Sequence, residues 1–295
     1  MKLILLSPHL DFWNNKHSKF GKNGYILKYL YSISSNISLI LPHGDGVMRG
    51  CEFPDYEKAE KMYGNLEKVA MGVLCSREPH DMTIPLINLP LDDDIFEFGL
   101  DKVLRTEADN IDLPWEERKS IAYWRGVAWP FRQPAIKELY DFPFADVKPV
   151  LTPWASFRHM IDIKYFDKRY NGFNGRPVPL SEHMNYKYIL IMDGRMIASA
   201  LQWVFGSGSV PILITDPGNS YWFKDYLKDN VNCVMVNPQE EHFGDVLRDK
   251  ITFLIENDDL AKEIAKSAKA LADEIFSPEF QRKYIRDQLA VLESS

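Results

Sequence analysis

The stretch YKYILIMDGRMIASALQWVFGSGSVPILI, residues 186–214, constrains the fold of this chain more than any other. An apolar run ends at Asp193-Gly194. A helical pattern, RMIASALQWVF, begins at once, closes on GSGS (206–209) and gives way to a second apolar run, SVPILIT. Short apolar runs bounded by turn residues read as buried strands, and strand–helix–strand succession requires a parallel sheet. Gly194 allows close backbone approach or an unusual φ angle. The first turn of the helix behind it carries unpaired N–H groups and the positive end of a dipole, which suits a phosphate. The glycines of 206–209 cap the helix or present amides to a ligand. A plain βαβ unit with ordinary turns explains the same letters, so the segment fixes the fold before it fixes a function.

The same alternation runs along the rest of the chain. KLILLS, NISLILP and VAMGVLCS read as strands, separated by helical patterns after Tyr25 and over 57–68. A polar stretch, 91–120, follows. SIAYWRG (120–126), FADVKPV (144–150), the 186–214 unit and VNCVMVN (231–237) form a second series of strands, with SYWFKDYLKD (220–229) as a short helix. Helices over roughly 242–256, 259–275 and 278–292 close the chain. At 295 residues the chain is too long for one simple core. The break falls near 115–122, giving domains 1–118 and 119–277 and a terminal helical segment 278–295. The expectation is an α/β protein with two sheets facing each other across a cleft and a helical tail. In such folds ligands sit beyond the C-terminal ends of strands.

Composition narrows the function classes. A net charge of −7 opposes broad binding to nucleic acid or an anionic membrane. Cys51, Cys75 and Cys233 are odd in number and far apart, which fits reduced thiols rather than a disulfide framework or a zinc site. The apolar part of the N-terminus is only LILL, below the ~7–15 residues of a signal core, and no run approaches the ~20 residues of a membrane span. A cytoplasmic protein is expected.

Four stretches could carry chemistry. In IAYWRGVAWPFRQP (121–134) a strand ends on Trp124, Arg125 and Gly126, with Arg132 shortly after. A guanidinium there suits phosphate oxygens or a carboxylate of the other domain. HGDG (43–46) puts Asp45 at a strand end, as a general base or as a simple turn residue. REPHDMTIP (77–85) offers His80 and Asp81 at the next strand end, to a hydroxyl-rich ligand or to the loop itself. In LDDDIF (91–96), Asp92 and Asp94 have the spacing that holds Mg²⁺ or Mn²⁺ in many nucleotide-sugar enzymes, or they are a solvated acidic loop. HExxH, P-loop and GxSxG motifs are absent.

The order WEERKSIAYWRG, YKYILIMDG, GSGSVPILI, YWFKDYLKDNVNCVMV and IENDDLAKEIAKSAKALA resembles glycosyltransferase family 90 over roughly residues 40–292. SREPHDMTIP is similar to that family's HD-x-x-x-P stretch. The family holds protein O-glucosyltransferases, capsule xylosyltransferases and lipopolysaccharide sugar transferases. The resemblance implies a GT-B-like pair of Rossmann-type domains and a last helix that crosses back to the N-terminal domain. It implies inverting transfer of a sugar, xylose or glucose, from a UDP-sugar to a hydroxyl of a glycan, glycolipid or glycoprotein. No bound metal is obligatory, although some members use Mn²⁺.

Carried over residue by residue, the resemblance makes Asp45 the catalytic base and puts His80 and Asp81 near the transferred sugar. Trp124, Arg125 and Gly126 match the family's FRG near the donor phosphates, and Gly208-Ser209 match its C-terminal GS. Arg132 and the backbone at Gly194 join the donor set. Many members carry a Ser and an Arg or Ser early in the helix after the strand-end glycine. Here Ala198, Ser199 and Ala200 stand there, leaving Arg195 or Ser199, or the backbone amides alone, as substitutes. The departure keeps open a degenerate binding module, and Asp92 and Asp94 keep open a metal-dependent transferase. The absence of a secretion signal implies a bacterial or viral enzyme.

Overall fold

The computed structural model describes residues 2–6, 38–42, 69–73, 75–76, 82–83, 113–150, 178–193, 198 and 200–294. The chain divides into two compact units. One comprises Met1–Lys102, Gly218–Asp225 and Glu274–Ser295; the other comprises Val103–Pro217 and Tyr226–Asp273.

The first unit holds β1 (Lys2–Leu6), β2 (Ser38–Pro42), β3 (Val69–Val73), β4 (Cys75–Ser76) and β5 (Met82–Thr83). Four of these make a parallel sheet in the order β1-β2-β3-β5. The three apolar runs near the start of the sequence are therefore strands, as their composition implies.

The second unit opens with β6 (Lys119–Gly126). A helix, α1 (Gln133–Leu139), leads to β7 (Ala145–Pro149). A one-turn helix, α2 (Leu180–His183), precedes β8 (Tyr186–Met192). Then come α3 (Leu201–Gly206) and β9 (Val210–Ile214). Every residue of β8 and β9 is buried, which suits central strands of a sheet covered on both faces. The chain next enters the first unit as β10 (Ser220–Tyr221), which pairs antiparallel with β4. Back in the second unit, β11 (Val234–Val236) completes an all-parallel sheet in the order β11-β9-β8-β6-β7. The helix expected over 220–229 is replaced by β10 and a single 3₁₀ turn at Lys224–Tyr226. Tyr221, Trp222 and Phe223 are all buried, a consecutive triplet that one helix face cannot bury together.

Three helices close the chain: α4 (Phe243–Glu256), α5 (Asp258–Ile275) and α6 (Pro278–Ser294). Phe243, Leu247, Ile251 and Leu254 form the buried stripe of α4. They join Ala135, Ile136 and Leu139 of α1 and the sheet residues Tyr188, Leu190 and Ile212 in one core. The Asp258 carboxylate, in the first turn of α5, accepts from Trp115 Nε1 at 3.0 Å and from Lys187 Nζ at 2.7 Å. In the first unit, Phe276 and Tyr284 pack against Trp222 at ring separations of 5.8 and 5.5 Å.

Candidate functional site

The strand order of the second unit has a consequence for ligands. From β6 the chain crosses to one side to form β7, then to the other side to form β8, β9 and β11. Connections that leave in opposite directions leave a gap at the C-terminal ends of the two strands involved, here β6 and β8. The pairing shows the gap directly. The β6–β8 ladder ends at Tyr123–Ile189. Beyond it β6 stays paired with β7 as far as Gly126–Pro149, and β8 with β9 as far as Met192–Ile214. The two strands diverge, and a crevice of about 290 Å³ opens between them. Trp124, Arg125, Gly126 and Val127 line one side; Ile189, Leu190 and Met192 line the other. Ala198, Ala200 and Trp203, at the start of α3 and just before it, add to the wall, as do Arg132, Val150, Val178 and His183.

Asp193 stands where β8 leaves the sheet. Its N–H donates to Ile214 O at 3.2 Å, so the backbone is still held by β9. Its carboxylate accepts from Thr215 Oγ1 at 2.6 Å and from Ala198 N at 3.3 Å. The side chain thus ties the two ends of the β8–α3 connection to the next strand. Gly194, Arg195 and Ser199 lie outside the described residues.

The two arginines of the opening motif behave differently. Arg132 Nε donates to the carbonyls of Met192 at 3.0 Å and Asp193 at 3.1 Å, and Nη1 donates to Val127 O at 3.1 Å. Burial pulls its pKa down to about 10, partly countered by the charge of Asp193, so it stays cationic at neutral pH. Arg125 turns towards β7. Its Nη1 donates to the carbonyls of Trp124 and Asp146, and its Nη2 meets the Asp146 carboxylate at 2.7 Å. The guanidinium also lies 4.2 Å from the Tyr123 ring centroid. Burial alone would raise the Asp146 carboxyl, but hydrogen bonds and charge from Arg125 and Lys148 outweigh it and hold it below the ordinary carboxylate range. Tyr123 in turn donates to the Glu182 carboxylate, and burial together with that bond raises its phenol well above the usual value.

Gly126 has a steric reason beside any ligand. A Cβ there would lie 2.6 Å from Cζ2 of Trp124, because the indole folds back over the glycine. Trp124 is buried and forms a wall of the crevice, so the glycine shapes that wall through the tryptophan.

Gly208 and Ser209 are not brought to the crevice. They precede β9 and so stand at the N-terminal end of the sheet, roughly 17 Å from the crevice mouth at about 3.3 Å per strand residue. There Arg118 Nη1 donates to Ser207 O at 3.0 Å and Ser209 Oγ at 2.9 Å, and Ser209 Oγ donates to Tyr186 O at 2.7 Å. Asp45, His80, Asp81, Asp92 and Asp94 lie outside the described residues. Two ring-bearing crevice residues escaped the sequence reading: His183, which packs edge-on against Tyr123 and Trp203 at 5.0 Å each, and Trp203 itself. His183 precedes its strand, so a search of strand ends passes over it; Trp203 has the periodicity of an ordinary helix core.

Among the described residues no group of three or more His, Cys, Asp or Glu side chains is placed to hold a metal ion, and no helix is long and apolar enough to cross a membrane.

Comparison with known proteins agrees with the architecture. The sequence profile described as Glycosyl transferase family 90 matches residues 100–289. A curated relative, the O-glucosyltransferase LpsA of Dichelobacter nodosus, is 23% identical over 168 residues, covering 57% of this chain and 47% of its own; the match thus spans about half the length of that relative. Among solved structures, HepE of Anabaena in complex with UDP-glucose superposes with a TM-score of 0.51 at 11% identity, over 86% of this chain and 72% of its own. Sucrose-phosphate synthase of Thermosynechococcus elongatus gives 0.53 at 14% identity, over 99% and 74%. At such identities the likeness is one of fold, and the fold is that of GT-B glycosyltransferases.

Proposed function

This chain belongs to glycosyl transferase family 90, and from that premise we propose that it transfers a sugar, glucose or xylose, from a UDP-linked donor to a hydroxyl of a glycan, glycolipid or glycoprotein. The observation that carries the proposal is the crevice at the divergence of β6 and β8, the position at which an open α/β sheet receives a nucleotide. The relative from Dichelobacter nodosus is named an O-glucosyltransferase, and HepE was crystallised with UDP-glucose, which favours a uridine donor and glucose first.

The proposed chemistry is one displacement with inversion. The Asp45 carboxylate takes the proton of the acceptor hydroxyl. The acceptor oxygen bonds to the anomeric carbon from the face opposite the diphosphate. The bond from that carbon to the diphosphate oxygen breaks, and UDP leaves with the electron pair. An α-linked donor then yields a β-linked product. Arg125 lines the crevice with its charge matched by Asp146, so an arriving diphosphate competes with Asp146 for the guanidinium.

Binding of UDP, GDP and CMP, and of UDP-glucose and UDP-xylose, followed by thermal shift with and without Mn²⁺, tests the donor. Stabilisation by UDP but not GDP or CMP is expected. Stabilisation only with Mn²⁺ would favour a metal-dependent transferase using Asp92 and Asp94, a second reading that rests on their spacing. Asp45→Asn should abolish most turnover, about 10²-fold or more, while UDP still binds. UDP binding without transfer in the natural protein would instead indicate a degenerate module.

A further inference from the structure

A half-buried arginine in the wall of a ligand crevice invites the assumption that it meets the ligand. The bonds of Arg132 argue otherwise. Its Nε–H is shared between the carbonyls of Met192 and Asp193, at 3.0 and 3.1 Å, where β8 ends. Its Nη1 donates to Val127 O, just past the end of β6. These carbonyls lie at or just past the ends of the two strands whose mutual ladder stops at Tyr123–Ile189. One rigid, planar guanidinium therefore spans the fork where backbone pairing has failed. Arg132 itself comes from the 3₁₀ turn Pro130–Arg132 that leads into α1, so it also joins the fork to that helix. Its guanidinium carbon lies 5.8 Å from the ring centroid of Trp124, a wall of the crevice.

We propose that Arg132 is a positioning residue: it straps the diverging ends of β6 and β8 and so sets the width of the crevice, rather than binding the donor phosphates as a ligand. The proposal rests on the crevice being the nucleotide site. The charge that remains inside the strap favours an anion nearby without touching it. Lysine cannot replace it, because one ammonium nitrogen on a flexible stem lacks the fork that reaches carbonyls of both strands at once. A direct phosphate ligand would tolerate lysine far better, since lysine binds phosphate as a point charge.

The test compares UDP and uridine, by calorimetry or ligand-observed NMR, on the natural protein, Arg132→Lys and Arg132→Gln, with circular dichroism to report the fold. The expected result is that Arg132→Lys stays folded and weakens UDP and uridine by the same factor, about tenfold. Arg132→Gln, whose amide can still donate to one strand, should weaken both as well. Unchanged UDP affinity in Arg132→Lys would overturn the proposal, as would a loss confined to UDP with uridine unaffected. Unfolding of both variants would also overturn it, by making the strap part of the general scaffold. Failure of the natural protein to bind either UDP or uridine would instead remove the nucleotide reading of the crevice, a result distinct from all of these.

Discussion

Arg118 and Ser209 are joined by a 2.9 Å hydrogen bond at the N-terminal end of the sheet of the second unit, the end remote from the crevice. Ser209 is fully buried and passes a second bond to Tyr186 O, while Arg118 also holds the carbonyls of Leu113 and Ser207. The pair fastens the entries of β6, β8 and β9 together. Ser209→Ala should therefore cost about 1–3 kcal/mol of stability, since a buried cation loses one acceptor. Affinity for UDP should not change. Titrating UDP at a temperature where the variant is folded checks this, and a fall in affinity matching that of crevice variants would return Ser209 to the donor site.

Gly126→Ala is expected to act through Trp124. The new methyl meets the indole at 2.6 Å, so the ring must swing or β6 must shift. Overpacking of this kind costs about 1–3 kcal/mol. Because Trp124 is a crevice wall, UDP affinity should fall in parallel. Tryptophan fluorescence and thermal melting measured together decide the matter. An unchanged melting temperature with unchanged emission would mean that Trp124 does not lie over the glycine.

Thr215→Val removes the hydroxyl that donates to Asp193 at 2.6 Å and leaves the isosteric shape in place. The acceptor left behind is an ionised carboxylate that still holds Ala198 N, so the loss should be about 1–2 kcal/mol. The β8–α3 connection loses its tie to Thr215. Amide exchange at Ala198 and Leu201 should accelerate while the exchange of β8 stays slow. Equal acceleration in both would mean that Thr215 supports the strand and not the connection.

The sequence makes the frame of this molecule legible where burial is continuous. YKYILIM and VPILI are apolar without interruption, and they are the central strands β8 and β9. The helix α1 escaped notice because QPAIKEL is only seven residues long, too short to show more than one period. SYWFKDYLKD looked helical because its aromatics are dense, yet Tyr221, Trp222 and Phe223 bury consecutively rather than on one face. For the site, the strand-end rule placed Trp124, Arg125, Gly126 and Arg132 at the crevice, because all follow or end β6. The same rule argues against Gly208 and Ser209, which begin a strand instead of ending one. What no local pattern could supply was the partners. Asp146 lies on the next strand, and two of the carbonyls held by Arg132 stand at the end of β8; both meetings are made by strand order.

The Arg125–Asp146 pair gives stability a defined pH dependence. The folded-state pKa of Asp146 is depressed, since the hydrogen bonds and charges of Arg125 and Lys148 overcome the effect of burial. An unfolded aspartate titrates near about 3.9. The folded state therefore binds fewer protons than the unfolded chain across the window below that value. The contribution of Asp146 is fully present above the unfolded pKa and is lost as pH falls through the folded one. Other carboxylates do the same, Asp258 among them, whose burial is outweighed by bonds from Lys187 and Trp115. The difference between proteins isolates the pair. Asp146→Asn mimics the protonated side chain, so its melting temperature should lie furthest below that of the natural protein near pH 7. The two curves should converge as pH falls below the ordinary aspartate range and through the depressed folded-state pKa. A gap that stays constant through the acid range would mean that the asparagine acts through packing and that the ion pair contributes nothing.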